Sequence, residues 1–308
     1  MSASFAFVEL KSFGDLVISA AALRQLAQSD LERCRLVIGP YLQELCHSLN
    51  PSCKVEVLTI PDRTVPALFD MKKRGITKSI RSALCLRSAL SRAAPGMTLV
   101  MECQAWRERF ISGSRSCLVP PRKDNVYLAF EAFMAANFQL SVSVPARDES
   151  GGTRVALCPF SRVRAKNLST ALIVALAQQC EQAGFEPELL LLEGEHVQHP
   201  GILSSRVIPR RFDALADALA GYDAVISADS LPAHLAEYLG TPTFVASPVQ
   251  NCYWLPKSAF IGEHWGLIPE RANLMLRLQR FLNTTQPPTA PRVVPAVGRS
   301  RPERGRSL

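Results

Sequence analysis

Short unbroken apolar runs alternate along this chain with stretches in which apolar residues recur every three to four positions. Phe5–Leu10 is the first run and reads as a buried strand. Lys11–Ser12–Phe13–Gly14 makes a tight turn, and Asp15–Ser29 follows with helical spacing at Leu16, Ala20, Leu23 and Ala27. Arg35–Ile38, Val55–Ile60 and Thr98–Met101 are further strands, with helical segments between them. After Pro145–Thr153, a polar stretch holding a Gly pair, the alternation restarts. It predicts strands at Arg154–Cys158, Leu189–Leu192, Ala224–Ser227 and Thr243–Ser247. Helices are predicted at Leu168–Ala183, Phe212–Ala220 and Pro232–Leu239, and from Pro269 to about Leu282. Such alternation implies βαβ units on parallel sheets. The expected fold class is α/β, as two Rossmann-like domains spanning residues 1–148 and 153–283. From Thr284 to Leu308 the chain is rich in Pro, Arg and Ser, and this tail is expected to be disordered.

Composition narrows the class. Hydrophobic residues make up 47% of the 308 and charged residues 20%, enough for two cores and far from a disordered chain. No uncharged apolar run reaches the ~18–20 residues that cross a bilayer. Glu9, Lys11 and Asp15 interrupt the first apolar residues, unlike a secretory signal. A cytoplasmic protein is expected. The nine cysteines are scattered, with Cys46 and Cys53 the closest pair. They read as small buried hydrophobes rather than a disulfide frame, a redox dithiol or a zinc site. No metal and no cofactor is expected.

The net charge of +8 is unevenly spread. Met71–Arg92 holds seven Lys and Arg and no acid, the tail carries +4, and the remainder carries −3. Ile76, Ile80, Leu84 and Leu90 are expected on the face of this basic segment opposite its cations, either as an ordinary solvated helix or as one suited to anionic lipid. The segment has no aromatic residue for base stacking, so no specific nucleic-acid partner is expected.

There is no GxG triplet, no GxxxxGK[ST] loop, no HExxH, no GxSxG and no DxD pair. A diphosphate, if bound, would be neutralised by basic side chains, backbone N–H groups and helix N-termini. Four places could carry chemistry. Asp15, behind Gly14 at a strand-to-helix turn, is either a helix cap or a general base. Ser161 to Lys166, with Arg162 and Arg164, precedes a helix and suits a phosphate, or is a solvated loop. Asp229 and Ser230 can cap the helix they precede, or face Asp15 across a cleft, and His234 follows inside that helix. Glu195, in Glu193–Gly194–Glu195–His196, could bind a ribose diol or close a plain loop.

Taken together, these segments resemble the family-9 glycosyltransferases, the lipopolysaccharide heptosyltransferases. Phe13–Gly14–Asp15 through Arg24 is similar to the family's "GD" followed by apolar residues and "PALR", with Ala21 in place of Pro. Leu157–Cys158–Pro159 with Ser161 and Lys166–Asn167–Leu168 resembles its phosphate loop, and Glu193 to His196 its "GxEHE" loop. Ala228–Asp229–Ser230–Leu231–Pro232–Ala233–His234 through Pro242 is similar to "NDSGPMHLAAALGTP". The resemblance implies a GT-B fold with a last helix crossing back to the first domain. It implies inverting, metal-independent transfer from ADP-heptose to an anionic glycolipid acceptor, at the inner membrane face. By resemblance, Asp15 is the base, Ser161 and Lys166 hold the diphosphate, and Glu195 binds the ribose. Asp229, Ser230 and His234 then hold the sugar and phosphate side. Lys11, Lys72, Lys73 and Arg74 fall on the acceptor or membrane side. Leu231 stands where the family has Gly, and Ala246–Ser247–Pro248–Val249–Gln250 lacks its "GPT" turn. These departures keep open a different nucleotide-sugar, or a non-catalytic module that binds a nucleotide or glycan.

Overall fold

The computed structural model describes residues 4–141, 152–197 and 204–285. The first half runs β1 (Phe5–Glu9), α1 (Phe13–Leu23), α2 (Gln28–Leu31), β2 (Cys34–Ile38), α3 (Gln43–Leu49) and β3 (Lys54–Val57). It continues with α4 (Met71–Arg74), α5 (Ile76–Ala93), β4 (Thr98–Val100), α6 (Trp106–Ser112), β5 (Cys117–Leu118) and α7 (Val126–Asn137). The second half runs β6 (Arg154–Cys158), α8 (Thr170–Gln182), β7 (Glu186–Leu192), β8 (Ser204–Ile208), α9 (Phe212–Ala220) and β9 (Ala224–Ala228). It ends with α10 (Leu231–Leu239), β10 (Thr243–Ser247), α11 (Lys257–Ile261), β11 (Trp265–Leu267) and α12 (Arg271–Thr285).

Two all-parallel sheets result, ordered β3-β2-β1-β4-β5 and β11-β10-β9-β6-β7-β8. Helices cover both faces of each, so β1 and β9 are buried along their whole length and show no polar alternation. Helix α1 of the first half lies against α10 of the second, and α3 against α9. One apolar core therefore runs from Phe7 and Leu36 through Leu16 and Leu23 to Leu219, Leu235 and Tyr222. Burying each such side chain contributes about 1.5–3 kcal/mol. That burial fixes α1, and with it the position of Asp15.

The outer faces are covered separately. Leu86, Leu90 and Ala93 of α5 pack on Val8, Val37 and Leu99. Leu274, Leu278, Phe281 and Leu282 of α12 pack with Leu172 and Leu176 of α8 on the second sheet. Helix α12 thus stays with the second sheet throughout the described residues, where the resemblance implied a crossing. Polar reaches join the halves beside their shared apolar core. Asn125 Nδ2 donates to the carbonyls of Cys252 (3.2 Å) and Leu255 (2.8 Å), Arg24 to the carbonyl of Tyr238 (2.9 Å), and Lys257 pairs with Glu131 (2.6 Å).

Several expectations change. Gly75, at φ +82°, splits the basic segment into α4 and α5. The inner face of α5 is Ser79, Ser82, Ala83, Leu86, Ala89, Leu90 and Ala93, so Ile76, Ile80 and Leu84 face solvent beside the cations. The reason is local. Ser79 Oγ donates to the carbonyls of Ala67 and Gly75, and Ser82 Oγ to Asp62, which draws small hydroxyl residues inward. Helix α12 extends through Thr285, past the expected start of the tail. The interdomain stretch 145–153 lies almost wholly outside the described residues, as does the tail beyond 285. All nine cysteines are free thiols and none is exposed. No helix among the described residues is long and apolar enough to cross a membrane.

Candidate functional site

The carboxyl ends of the two sheets face each other across a cleft of 1170 Å³. Open α/β sheets bind ligands at this edge. The volume exceeds the ~300–1,000 Å³ of ordinary small-molecule pockets. Lys11, Asp15 and Lys73 line it from the first half, and Ser161, Lys166, Glu195, Asp229, Ser230, Leu231 and His234 from the second. Lys72 and Arg74 do not reach it; Arg74 donates to Thr64 Oγ1 (2.7 Å).

Asp15 sits in the first turn of α1 but does not cap it. Ser12 is the cap, its hydroxyl accepting from the Asp15 backbone N–H at 3.2 Å. No ion pair among the described residues engages the Asp15 carboxylate. Burial pushes its pKa up, while the Ser12 hydroxyl, Lys11 and Arg162 pull it down. A carboxylate so placed is partly desolvated, lines the cleft and has no ion-pair partner, as suits a general base.

Below it lies a second acid that sequence patterning did not single out. Glu9 ends β1, is 5% exposed, and accepts from Ser19 Oγ at 2.5 Å. Burial, then the charge of Asp15, raises it from 4.5 to about 8 against the pull of Ser19. At neutral pH it keeps its proton. The folded-state value lies above the unfolded one, so the stabilising contribution is complete below pH 4.5 and fades as pH rises through about 8. The expected loss across that window is about 1.4 kcal/mol per pH unit. Glu9→Gln should flatten this slope and unfold later than the parent in urea at pH 8 to 9. An unchanged slope would refute the buried-acid assignment.

Lys11 bridges Glu102 (3.4 Å) and Glu108 (3.5 Å) at the cleft floor. Burial works against its charge, but Glu102, Cys103, Asp15 and Glu108 outweigh it and hold the ammonium above its ordinary value. Across the cleft, the loop after β6 carries Ser161 and a short turn, Arg164–Lys166. The expected helix start at Leu168 moves to Thr170, where Ser169 caps α8, so the cations stand in a loop ahead of that helix. Ser161 Oγ accepts from the Val163 N–H (3.2 Å), and its own proton remains available to donate. Lys166 Nζ lies 2.8 Å from Asp229 Oδ2.

Ser230 occupies the cap position of α10, yet its hydroxyl donates to the carbonyls of Phe160 and Ala228 (both 3.2 Å) instead of capping. Asp229 is committed to Lys166. The expected capping by this pair is therefore absent, and the N-terminus of α10 opens on the cleft without a side-chain cap. Glu195 closes its own loop, Oε2 accepting from the Leu192 N–H (2.9 Å) and Oε1 standing 3.7 Å from Arg210. The Val249 turn after β10 is likewise closed internally, by Ser247 Oγ donating to the Val249 carbonyl at 2.8 Å.

His234 is buried, with Nδ1 3.0 Å from the Tyr127 hydroxyl of α7. Burial lowers its pKa to about 4, so the ring is neutral. This bond engages Nδ1 and leaves the Nε2 edge of the ring. That edge lies against Gly14. A Cβ there would come within 3.3 Å of the imidazole, so Gly14 allows the two halves to close over Asp15. Tyr127 belongs to the other half of the molecule, and no local pattern marks it. Tyr127→Phe strands a buried ring nitrogen and should cost about 1–3 kcal/mol. An unchanged urea midpoint would show that this bond adds nothing.

No protein-family model matches the sequence, and no curated protein matches it. Solved structures do. The chain aligns with a family-9 glycosyltransferase from Veillonella parvula at TM-score 0.57 and 11% identity, covering 92% of this chain and 98% of that one. Against E. coli ADP-heptose lipopolysaccharide heptosyltransferase II the TM-score is 0.56 at 14% identity, with 92% and 98% covered. Against E. coli heptosyltransferase WaaC, solved with ADP, it is 0.51 at 14% identity, with 79% and 87% covered. Two parallel Rossmann-like sheets facing across a cleft give this chain the GT-B fold of those glycosyltransferases.

Proposed function

We propose that the protein is an inverting, metal-independent glycosyltransferase that moves a sugar, heptose from ADP-heptose, to an anionic glycolipid of the lipopolysaccharide-core type. The observation that carries this reading is the convergence of Asp15, Lys166 and the uncapped N-terminus of α10 on one cleft. In it, Asp15 takes the proton of the acceptor hydroxyl as that oxygen attacks the anomeric carbon. The bond from that carbon to the β-phosphate oxygen breaks on the opposite face, and its electron pair leaves with ADP. Lys166, Ser161 and the Leu231 N–H at the start of α10 offset the charge that develops on the diphosphate, since Pro232 has no N–H and the Ala233 N–H donates to the Ser230 carbonyl. Glu195 faces the ribose, and neutral His234 offers a hydrogen bond on the sugar and phosphate side. Lys11, held by two acids, and Lys73 line the acceptor side, next to the exposed cations of α4 and α5, which suit an anionic acceptor at the inner membrane face.

Thermal shifts with ADP, UDP, GDP and ADP-heptose test the donor. A ligand at about 100 times its Kd adds ~2.7 kcal/mol, a few degrees for a protein of this size. A shift with ADP and ADP-heptose alone supports the reading, and a shift with UDP or GDP replaces the donor. Leu231 stands in the cleft wall beside Ser230 and favours one rival, a module that binds nucleotide or glycan without turnover. Binding with no ADP release from any nucleotide-sugar would establish that rival.

A further inference from the structure

Helix α5 turns an apolar stripe outward. Ile76, Ile80 and Leu84 recur every four residues and are 66%, 54% and 54% exposed. That interval keeps them on one side of the helix. The adjoining arc of the same solvent face carries Lys78, Arg81 and Arg92, and Lys72, Lys73 and Arg74 extend the charge beyond Gly75. All six are exposed, and residues 71–92 contain no acid. Helix α6, packed along α5, exposes Trp106 and Phe110 at the same interval. An aligned apolar stripe of this kind marks an interaction site.

We propose that the solvent face of α5 docks on an anionic lipid bilayer, with Ile76, Ile80 and Leu84 entering the headgroup–acyl boundary and the flanking Lys and Arg side chains on the lipid phosphates. Charge and shape choose this occupant. An anionic leaflet offers a plane of phosphates with an apolar layer just beneath, which matches a cationic arc beside an apolar stripe. Lys73 and Phe69 also line the cleft, so docking brings its acceptor side to the bilayer surface. The proposal deepens the glycolipid-acceptor reading and rests on it for its purpose, but the surface is tested without donor or acceptor.

The test is co-sedimentation of the full chain, at physiological salt, with vesicles of phosphatidylcholine and with vesicles that also contain phosphatidylglycerol. The chain should prefer the anionic vesicles roughly tenfold or more. The triple variant Ile76→Ser, Ile80→Ser, Leu84→Ser should keep its melting temperature and lose roughly tenfold or more in binding. Ile80→Trp should add blue-shifted emission on anionic vesicles, and this arm decides if the triple variant melts early. Triple-variant binding equal to the parent's, or an unshifted Ile80→Trp, overturns the proposal. So does a parent chain that ignores vesicles and dimerises through this stripe in sedimentation velocity. Each result leaves the nucleotide thermal shifts unaffected, so this proposal and the donor assignment fail separately.

Discussion

Asp15→Asn is expected to lower turnover by about 10²–10⁴-fold, the usual contribution of a positioned general base. Nucleotide affinity should stay within a few fold, because the diphosphate is held from the other half of the cleft. The substitution nearly preserves shape, and Ser12 rather than Asp15 caps α1, so the helix should survive it. This separates a catalytic loss from a folding loss: melting temperature and ADP affinity persist while sugar transfer falls. Equal turnover in the two proteins would remove Asp15 from the chemistry. The pH profile adds a second check. Burial raises the Asp15 pKa, so activity should decline on the acid side at a higher pH than an exposed Asp would give.

Lys166→Ala should cost about 10²–10³-fold in kcat/KM, in line with losing one preorganised group at a developing negative charge. The geometry makes this loss double-edged. Lys166 Nζ lies 2.8 Å from Asp229 Oδ2, so its removal leaves a carboxylate facing the incoming diphosphate. Part of the deficit is then repulsion. Adding Asp229→Asn to Lys166→Ala should recover some ADP affinity, whereas two independent contacts would show additive losses. ADP titrations of the two single variants and the double variant measure the coupling. Additivity would place Lys166 and Asp229 on separate parts of the ligand.

Much of the fold is legible in apolar periodicity. Arg154–Cys158, Phe212–Ala220 and Thr243–Ser247 have the observed bounds, because buried strands and a helix closed by Gly221 leave unbroken signals. Ser204–Ile208 escapes the same reading because it is an edge strand with four of its five residues exposed. Trp265–Leu267 is only three residues long at the opposite edge. Ile76, Ile80 and Leu84 of α5 stand beside the cations rather than opposite them, because Ser79 and Ser82 find backbone and carboxylate partners inside. At the site, Asp15, Lys166 and Asp229 stand at turns after strands, where a pattern can point. Tyr127 and Glu9 act through contacts distant in sequence or hidden in a strand, and no local spacing reveals them.

The most direct test of the account is sugar transfer from ADP-heptose to a core-truncated lipopolysaccharide acceptor, in the presence of a chelator. The readouts are acceptor mass and ADP released. The predicted result is one added sugar per ADP, lost in Asp15→Asn. ADP-heptose bound but never cleaved, with parent and Asp15→Asn indistinguishable, would contradict it and leave a binding module in a glycosyltransferase fold.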